Sequence, residues 1–274
     1  HLEAGHYFNP HAQRIVEAKM EGTKTAVIDT RLSNTASQAD YWLAPHPGTE
    51  AGLLLAMANY LIQNDLIDYG FLKRWVNWRE LLEDRDYQEF LNRQQFHGKF
   101  SSKPSFDAFI DFLKDFYSDY TPEWAEEETG VAASVIVTIA EEIASAGKAF
   151  ASHVWRSAAA GHLGGWMVAR ALFFLNVLTG SVGTPGGTIP NLWTKFVPRP
   201  HTLPSPVTNW NENHFPISYP LAHLEMSFLL PHILKERDKR LEVYFTRVYN
   251  PVWTNPDGLS WIEMLVDENR QVKG

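Results

Sequence analysis

Cysteine is absent from the 274 residues. Its absence removes disulfides, Cys-ligated zinc and Cys-ligated iron–sulfur clusters from this segment. It leaves the redox compartment undetermined. Long apolar runs are absent as well: the stretch Ala171–Leu178 falls well short of the roughly 18 residues that a membrane helix needs and suits a buried helix. No membrane insertion is expected. Basic residues are neither numerous nor clustered. With 24 Lys and Arg against 32 Asp and Glu the net charge is −8, which argues against nucleic acid as a partner. No secretory leader is recognisable, although a chain opening on His1 says little about targeting. His1, His6 and His11 recur at a spacing of five, not the three or four that juxtapose ligands on a helix, so no metal ligand is assigned.

What is present is material for a core. The chain is 45% hydrophobic and 13% aromatic, enough for one large domain or two smaller ones. Apolar spacing predicts a helix over Pro10–Glu21, a short buried strand over Thr25–Ile28 ending at Asp29, a turn of helix over Ser33–Asp40 and a second strand over Tyr41–Ala44. A long helix follows from Thr49 or Glu50 to about Asn64. Residues 66–130 are aromatic, charged and helical in pattern. Thr121–Pro122 supplies a capping hydroxyl and a first-turn proline, and Gly130 closes that helix. Further helices are predicted over Ala132–Ala146, Gly164–Leu178, Ala222–Lys235 and Leu259–Glu268, with strands over Ala149–Trp155 and Leu241–Thr246. Between them, 179–220 is rich in Gly, Pro, Asn and Ser, a long loop or linker of the kind that is usually functional. Alternating strands and helices predict an α/β fold with a mostly parallel sheet. Ligands in such folds sit beyond the carboxyl ends of strands, here after Ile28, His153 and Arg247.

Four constellations can carry chemistry, and each has a plainer reading. Asp29-Thr30-Arg31, past the first strand, places a carboxylate that accepts paired donors of a ribose or guanine edge beside an Arg fork for phosphate. Alternatively Asp29 caps the following turn and Arg31 pairs with Asp40. Pro47-Gly48-Thr49-Glu50 opens a helix whose free N–H groups suit an anion, or is a Thr cap with a favourable acid. Thr179–Gly187 packs four glycines into a backbone able to lie flat on a ligand, or is a hinge; no Gly-Lys-Ser/Thr makes it a phosphate loop. Arg156 and His162 can meet a phosphate or ring edge, or lie in the core. The Trp and Phe residues, mostly at helical spacing, read as core more than as a carbohydrate-stacking surface.

In this order the motifs resemble the dimethyl sulfoxide reductase family of molybdopterin oxidoreductases. The matches are Asp29-Thr30-Arg31, Thr35-Ala36, Ala39-Asp40, Pro47-Gly48-Thr49-Glu50, Thr121–Val131, Arg170–Gly180 running into Gly183-Thr184-Pro185-Gly186-Gly187, and Tyr249-Asn250-Pro251. Thr30 stands where Pro is usual, Ser181 for Asn, Glu50 for Asp, and Tyr249 for Gly. The resemblance implies a Rossmann-like fold over 1–190 with a helical insertion at about 66–130. Residues 191–274 would hold a linker and part of a second α/β unit. It implies an internal segment of a large catalytic subunit, inactive alone. The complete protein would hold molybdenum or tungsten on molybdopterin guanine dinucleotide and transfer an oxygen atom or two electrons. Its partners would be the rest of the same polypeptide and an iron–sulfur electron-transfer subunit. Asp29, Arg31 and Glu50 would address one guanosine and its phosphates, and Gly48, Thr49, Arg156 and His162 would also bind the cofactor. Gly183, Gly186 and Gly187 would face the pterin, and Asn250 would open the second nucleotide site. No catalytic residue is assigned. A cofactor-free structural subunit of a respiratory complex, with the same fold, is the alternative.

Overall fold

The computed structural model describes residues 9–93, 104–154, 165–189, 230–231, 234, 243–247, 249–255 and 257–266. The chain divides into two compact units, His1–His153 with Arg170–Pro190, and Val154–Ala169 with Asn191–Gly274.

The first unit begins with helix α1 (Asn9–Met20), strand β1 (Ala26–Ile28), a 3-10 turn (Ala36–Gln38) and strand β2 (Tyr41–Leu43). The strands pair in parallel, with Ala26 opposite Tyr41, Val27 opposite Trp42 and Ile28 opposite Leu43. Parallel pairing needs a crossover, and 29–40 with its 3-10 turn supplies it. Helices follow: α2 (Glu50–Gln63), α3 (Tyr69–Trp75), α4 (Trp78–Glu83), α5 (Arg85–Arg93), α6 (Phe106–Tyr117), α7 (Pro122–Thr129) and α8 (Ala133–Ala146). Local chemistry sets several of their ends. Asp68 accepts from Phe71 N, Ser105 from Ala108 N and Thr121 from Trp124 N. Each side-chain oxygen satisfies an amide with no partner inside the helix. Gly130 ends α7 at φ +76°, a conformation that favours glycine.

Helix α2 is the centre of this unit. Leu53, Leu54, Ala56, Met57, Ala58, Leu61 and Ile62 are all buried, so apolar residues run most of the way round it, as in a core helix. It packs against α6, α7 and α8. The aromatics of the 66–130 region largely pack on one another. Phe112 stacks on Phe116, and Tyr117 stacks on Phe174 at a ring separation of 5.4 Å. Burial pushes the Tyr117 hydroxyl well above the usual tyrosine range. These contacts agree with the core reading of those residues.

After α8 come a 3-10 turn (Gly147–Ala149) and helix α9 (Gly165–Thr179). In the second unit the described elements are α10 (Pro251–Thr254) and α11 (Gly258–Val266). They pack on one another around Trp261, Met264 and Leu234, with Tyr244 and Val252 alongside.

Three expectations need correction. The strand over Thr25–Ile28 is not deeply buried: Ala26 is exposed and Val27 and Ile28 are half-buried. The strand expected over Ala149–Trp155 is absent from described residues 150–154, where Phe150 O and Ser152 N bond to the side chains of Asn176 and Thr188 instead of a neighbouring strand. Residues 243–246 carry no strand ladder either, and Val243 and Phe245 are 67% and 90% exposed. The described residues are therefore mostly helical, and their sheet has two strands instead of a broad Rossmann-like array. Most of the helix expected over 222–235, Trp155, and the Pro-rich segment from 190 lie outside the described residues. No described helix is long and apolar enough to cross a membrane.

Candidate functional site

The in-register pairing brings the carboxyl ends of β1 and β2 to one edge. Asp29 N–H donates to Leu43 O (3.0 Å), and Trp42 Nε1–H donates to Asp29 O (2.8 Å). The half-buried Asp29 thus sits beside the segment leading to α2. Its Oδ1 accepts from Arg31 N (3.1 Å), the turn-capping role of the plainer reading. Arg31 is exposed at the same edge. Asp40, however, is paired with Lys19 at 3.0 Å, not with Arg31, and also accepts from Thr25 N (2.7 Å).

The approach to α2 is fixed by α7. His46 N–H donates to Thr129 O (2.9 Å), and a Cβ on Gly130 would come within 2.9 Å of His46 Nε2. Gly48 is exposed at φ +91°. Thr49 is not a side-chain cap: its Oγ1–H donates to His46 O (2.7 Å). Glu50 begins α2, half-buried, with Oε2 shielded from solvent.

The glycine loop is a tight, self-bonded turn rather than a loose hinge. Gly180, Gly183 and Gly186 have φ +66°, +71° and +78°. Thr188 N–H donates to Ser181 O (2.8 Å), and Gly183 N–H to Thr188 O (2.9 Å). Gly183, Pro185 and Gly186 are exposed at its tip. Gly187 is needed inside, where a Cβ would strike Ser181 O, Thr184 Oγ1 and Lys148 O. At the base lies Asn176, fully buried in α9 and bonded to Phe150, Ser152, Ser181 and Thr188. Sequence reasoning read 171–178 as an apolar run and missed it; a polar residue within that run was the available signal.

Sequence reasoning also missed Asp68 and Lys148. They pair at 3.2 Å beside a recess of about 490 Å³, whose lining includes Asp65, Tyr69, Gly147 and Thr179. Asp68 Oδ2 lies 2.8 Å from the position a Cβ on Gly180 would take. Tyr69 donates to Asp65 Oδ1 (2.6 Å), and burial with that bond pushes its hydroxyl up to about 12.

Asn250 belongs to the second unit. It is exposed and forms the backbone N-cap of α10, its carbonyl accepting from Trp253 N (3.2 Å) and Thr254 N (3.0 Å). Arg156 and His162 lie outside the described residues, and His153 and Arg247 are exposed. Among the described residues no group of His, Cys, Asp or Glu has the arrangement of a metal site.

Two carboxylates stabilise the β1–β2 region electrostatically. The Thr25 amide and the Lys19 ammonium hold Asp40 below its ordinary 3.8. Lys24 and the Tyr41 hydroxyl hold Glu142 below 4.5. Depressed carboxyl pKa values stabilise the fold above the unfolded-state values, and that contribution is lost as pH falls through the folded-state values. Thermal melts from about pH 6 down to about pH 3 should show the wild type losing melting temperature on acidification. An Asp40→Asn/Glu142→Gln variant should lose less over the same range. An identical acid limb in both proteins would refute these roles.

No family model matches the chain. Curated relatives do. Dimethyl sulfoxide reductase DmsA of Haemophilus influenzae is 32% identical over 169 residues, covering 60% of this chain and 19% of that protein. A formate dehydrogenase subunit alpha of Methanococcus maripaludis is 25% identical over 264 residues, 90% of this chain and 33% of that protein. Among solved structures, acetylene hydratase from Pelobacter acetylenicus aligns at TM-score 0.49 and 23% identity, covering 66% of this chain and 20% of its own. The chain is homologous, over part of its length, to molybdopterin oxidoreductases of the dimethyl sulfoxide reductase family. It spans 19% to 33% of the length of these relatives.

Proposed function

We propose that this chain is a cofactor-holding segment of a molybdenum or tungsten oxidoreductase that uses molybdopterin guanine dinucleotide. The observation that carries the reading is the parallel pairing of β1 and β2, which sets Asp29–Arg31 beside the segment entering α2 at one sheet edge. The residues present fit such a group. With Oδ1 occupied within the turn, Asp29 offers its second oxygen to a ribose or base donor. Arg31 at the exposed rim suits a phosphate, and the α2 N-terminus favours negative charge. The exposed backbone of Gly183 and Gly186 admits a flat ring system that a side chain would hold away. When bound, the cofactor supplies the redox-active metal, and these residues bind, orient and shield it. Arg156 and His162, and Asn250 for a second nucleotide, are proposed as cofactor contacts from the sequence resemblance alone. The faces of the two-stranded sheet would be covered further by the rest of the polypeptide, since parallel sheets are ordinarily covered on both faces. The electron partner would be an iron–sulfur subunit.

The test is on the complete polypeptide containing these residues, made in a host that synthesises the cofactor. Metal is assayed by elemental mass spectrometry, and released pterin by fluorescence after acid oxidation. Metal and pterin at comparable molar amounts to protein support the reading. If neither is found, it fails, and a cofactor-free structural subunit is the better account.

A further inference from the structure

We propose that Asn176 is the positioning residue of the glycine loop: from inside α9 its side-chain amide sets the shape of 181–188, and with it the backbone offered to the cofactor. What the loop is for rests on the cofactor reading above; what Asn176 does to the loop does not.

Asparagine is a poor interior helix residue, because its side chain competes for backbone bonds. Burying an amide without partners is costly. Asn176 is buried with 0% exposure, and both of its polar atoms are engaged. The two N–H groups of Nδ2 are shared among three acceptors, Phe150 O (3.1 Å), Ser181 Oγ (2.8 Å) and Thr188 Oγ1 (3.0 Å). Oδ1 accepts from Ser152 Oγ. The main-chain carbonyl of Asn176 accepts from Ser181 N (2.9 Å). One residue therefore clasps both legs of the loop, at Ser181 and at Thr188, and ties them to the 150–152 segment.

The chemistry is particular to an amide. Phe150 O can only accept, so the nitrogen must face it; reversing O and N would set two carbonyls against each other. Thr188 Oγ1 also accepts from Ser152 N (3.0 Å), so both of its acceptor positions are used. The legs are then bridged directly, Thr188 N to Ser181 O and Gly183 N to Thr188 O. The anchored base leaves the tip at Gly183, Pro185 and Gly186 exposed. Leu at 176 would match the volume without donating. Asp would add a charge and turn an acceptor toward Phe150 O.

Amide hydrogen exchange tests this on the complete polypeptide and its variants Asn176→Asp, Thr188→Val and Thr188→Ser. In the Asp and Val variants, exchange at Gly183 and Thr188 should accelerate about tenfold or more, the scale of one buried donor losing its partner. Exchange in α2 and α8 should stay as in the wild type. The Ser variant keeps the hydroxyl and should restore protection. If Asn176→Asp does not fold, the Thr188 pair decides alone. Unchanged loop exchange in Thr188→Val overturns the proposal, as does acceleration spread equally over α2 and α8. The wild-type pterin assay is separate: a chain that holds no pterin ends the cofactor reading, while the exchange data still decide the role of Asn176.

Discussion

Gly187→Ala is expected to destabilise the first unit by about 1–3 kcal/mol, the range for forcing one extra carbon into a packed site. The new Cβ would strike Ser181 O and Thr184 Oγ1 and approach Lys148 O to 3.0 Å. Two of these are backbone carbonyls fixed by their own surroundings. Ser181 O already accepts from Thr188 N, and Thr184 Oγ1 already donates to Lys148 O (2.6 Å). The loop must therefore open to make room, because no flexible side-chain end can yield. Gly183→Ala is the control. A Cβ there meets nothing within 4 Å, so only the φ of +71° opposes it, at about 1–2 kcal/mol for an L-residue in the left-handed region. Denaturant unfolding of both variants, followed by far-ultraviolet circular dichroism, ranks them. A Gly187 variant that loses less than about 1 kcal/mol would mean that the loop is not closed on itself in this way. On the cofactor reading proposed above, Gly187→Ala in the complete polypeptide should also lower retained pterin, since the displaced backbone is what the ring system would meet.

Leu61→Ala should lower stability by about 2–5 kcal/mol, the cost of deleting a buried leucine and leaving a cavity. Leu61 has 0% exposure and lies on α2, the helix that α6, α7 and α8 pack against. Leu66, just beyond that helix, is 39% exposed, and Leu66→Ala should stay within about 0.5 kcal/mol of the wild type. Chemical denaturation gives both numbers. A loss below about 1 kcal/mol at Leu61 would show that α2 is not the centre of the core. The prediction bears on the site as well, because α2 begins at Glu50 and loosening it loosens the strand-end edge.

Local features carried the sequence reading well. Thr121, Pro122 and Gly130 lie within one short helix, so their effects on its ends are decided by neighbouring backbone amides. The long helix from Glu50 was visible in its apolar content, and the crossover from β1 to β2 in its two short β-prone runs. Asp29 was legible as a residue at a strand end, and so was its turn-capping bond. The ordered series of motifs pointed to the family that the relatives then supported. The Ala149–Trp155 run failed as a strand because β-propensity describes fit to a pleated surface, not whether a neighbouring strand exists. Phe150 O and Ser152 N are instead bonded to the side chains of Asn176 and Thr188.

By itself the sequence determined the helix ends, the glycine positions that demand left-handed backbone and the exclusion of cysteine chemistry, since each depends on residue type and near neighbours. The tertiary structure alone decided that Lys19, not Arg31, pairs with Asp40, that Lys148 meets Asp68 and that Asn176 clasps both legs of the glycine loop. The two ion pairs join segments far apart in the chain, and the Asn176 bonds need the loop folded back on its own helix. Helical and strand periodicities report only which face a residue occupies, so a partner many residues away becomes defined when packing brings the faces together.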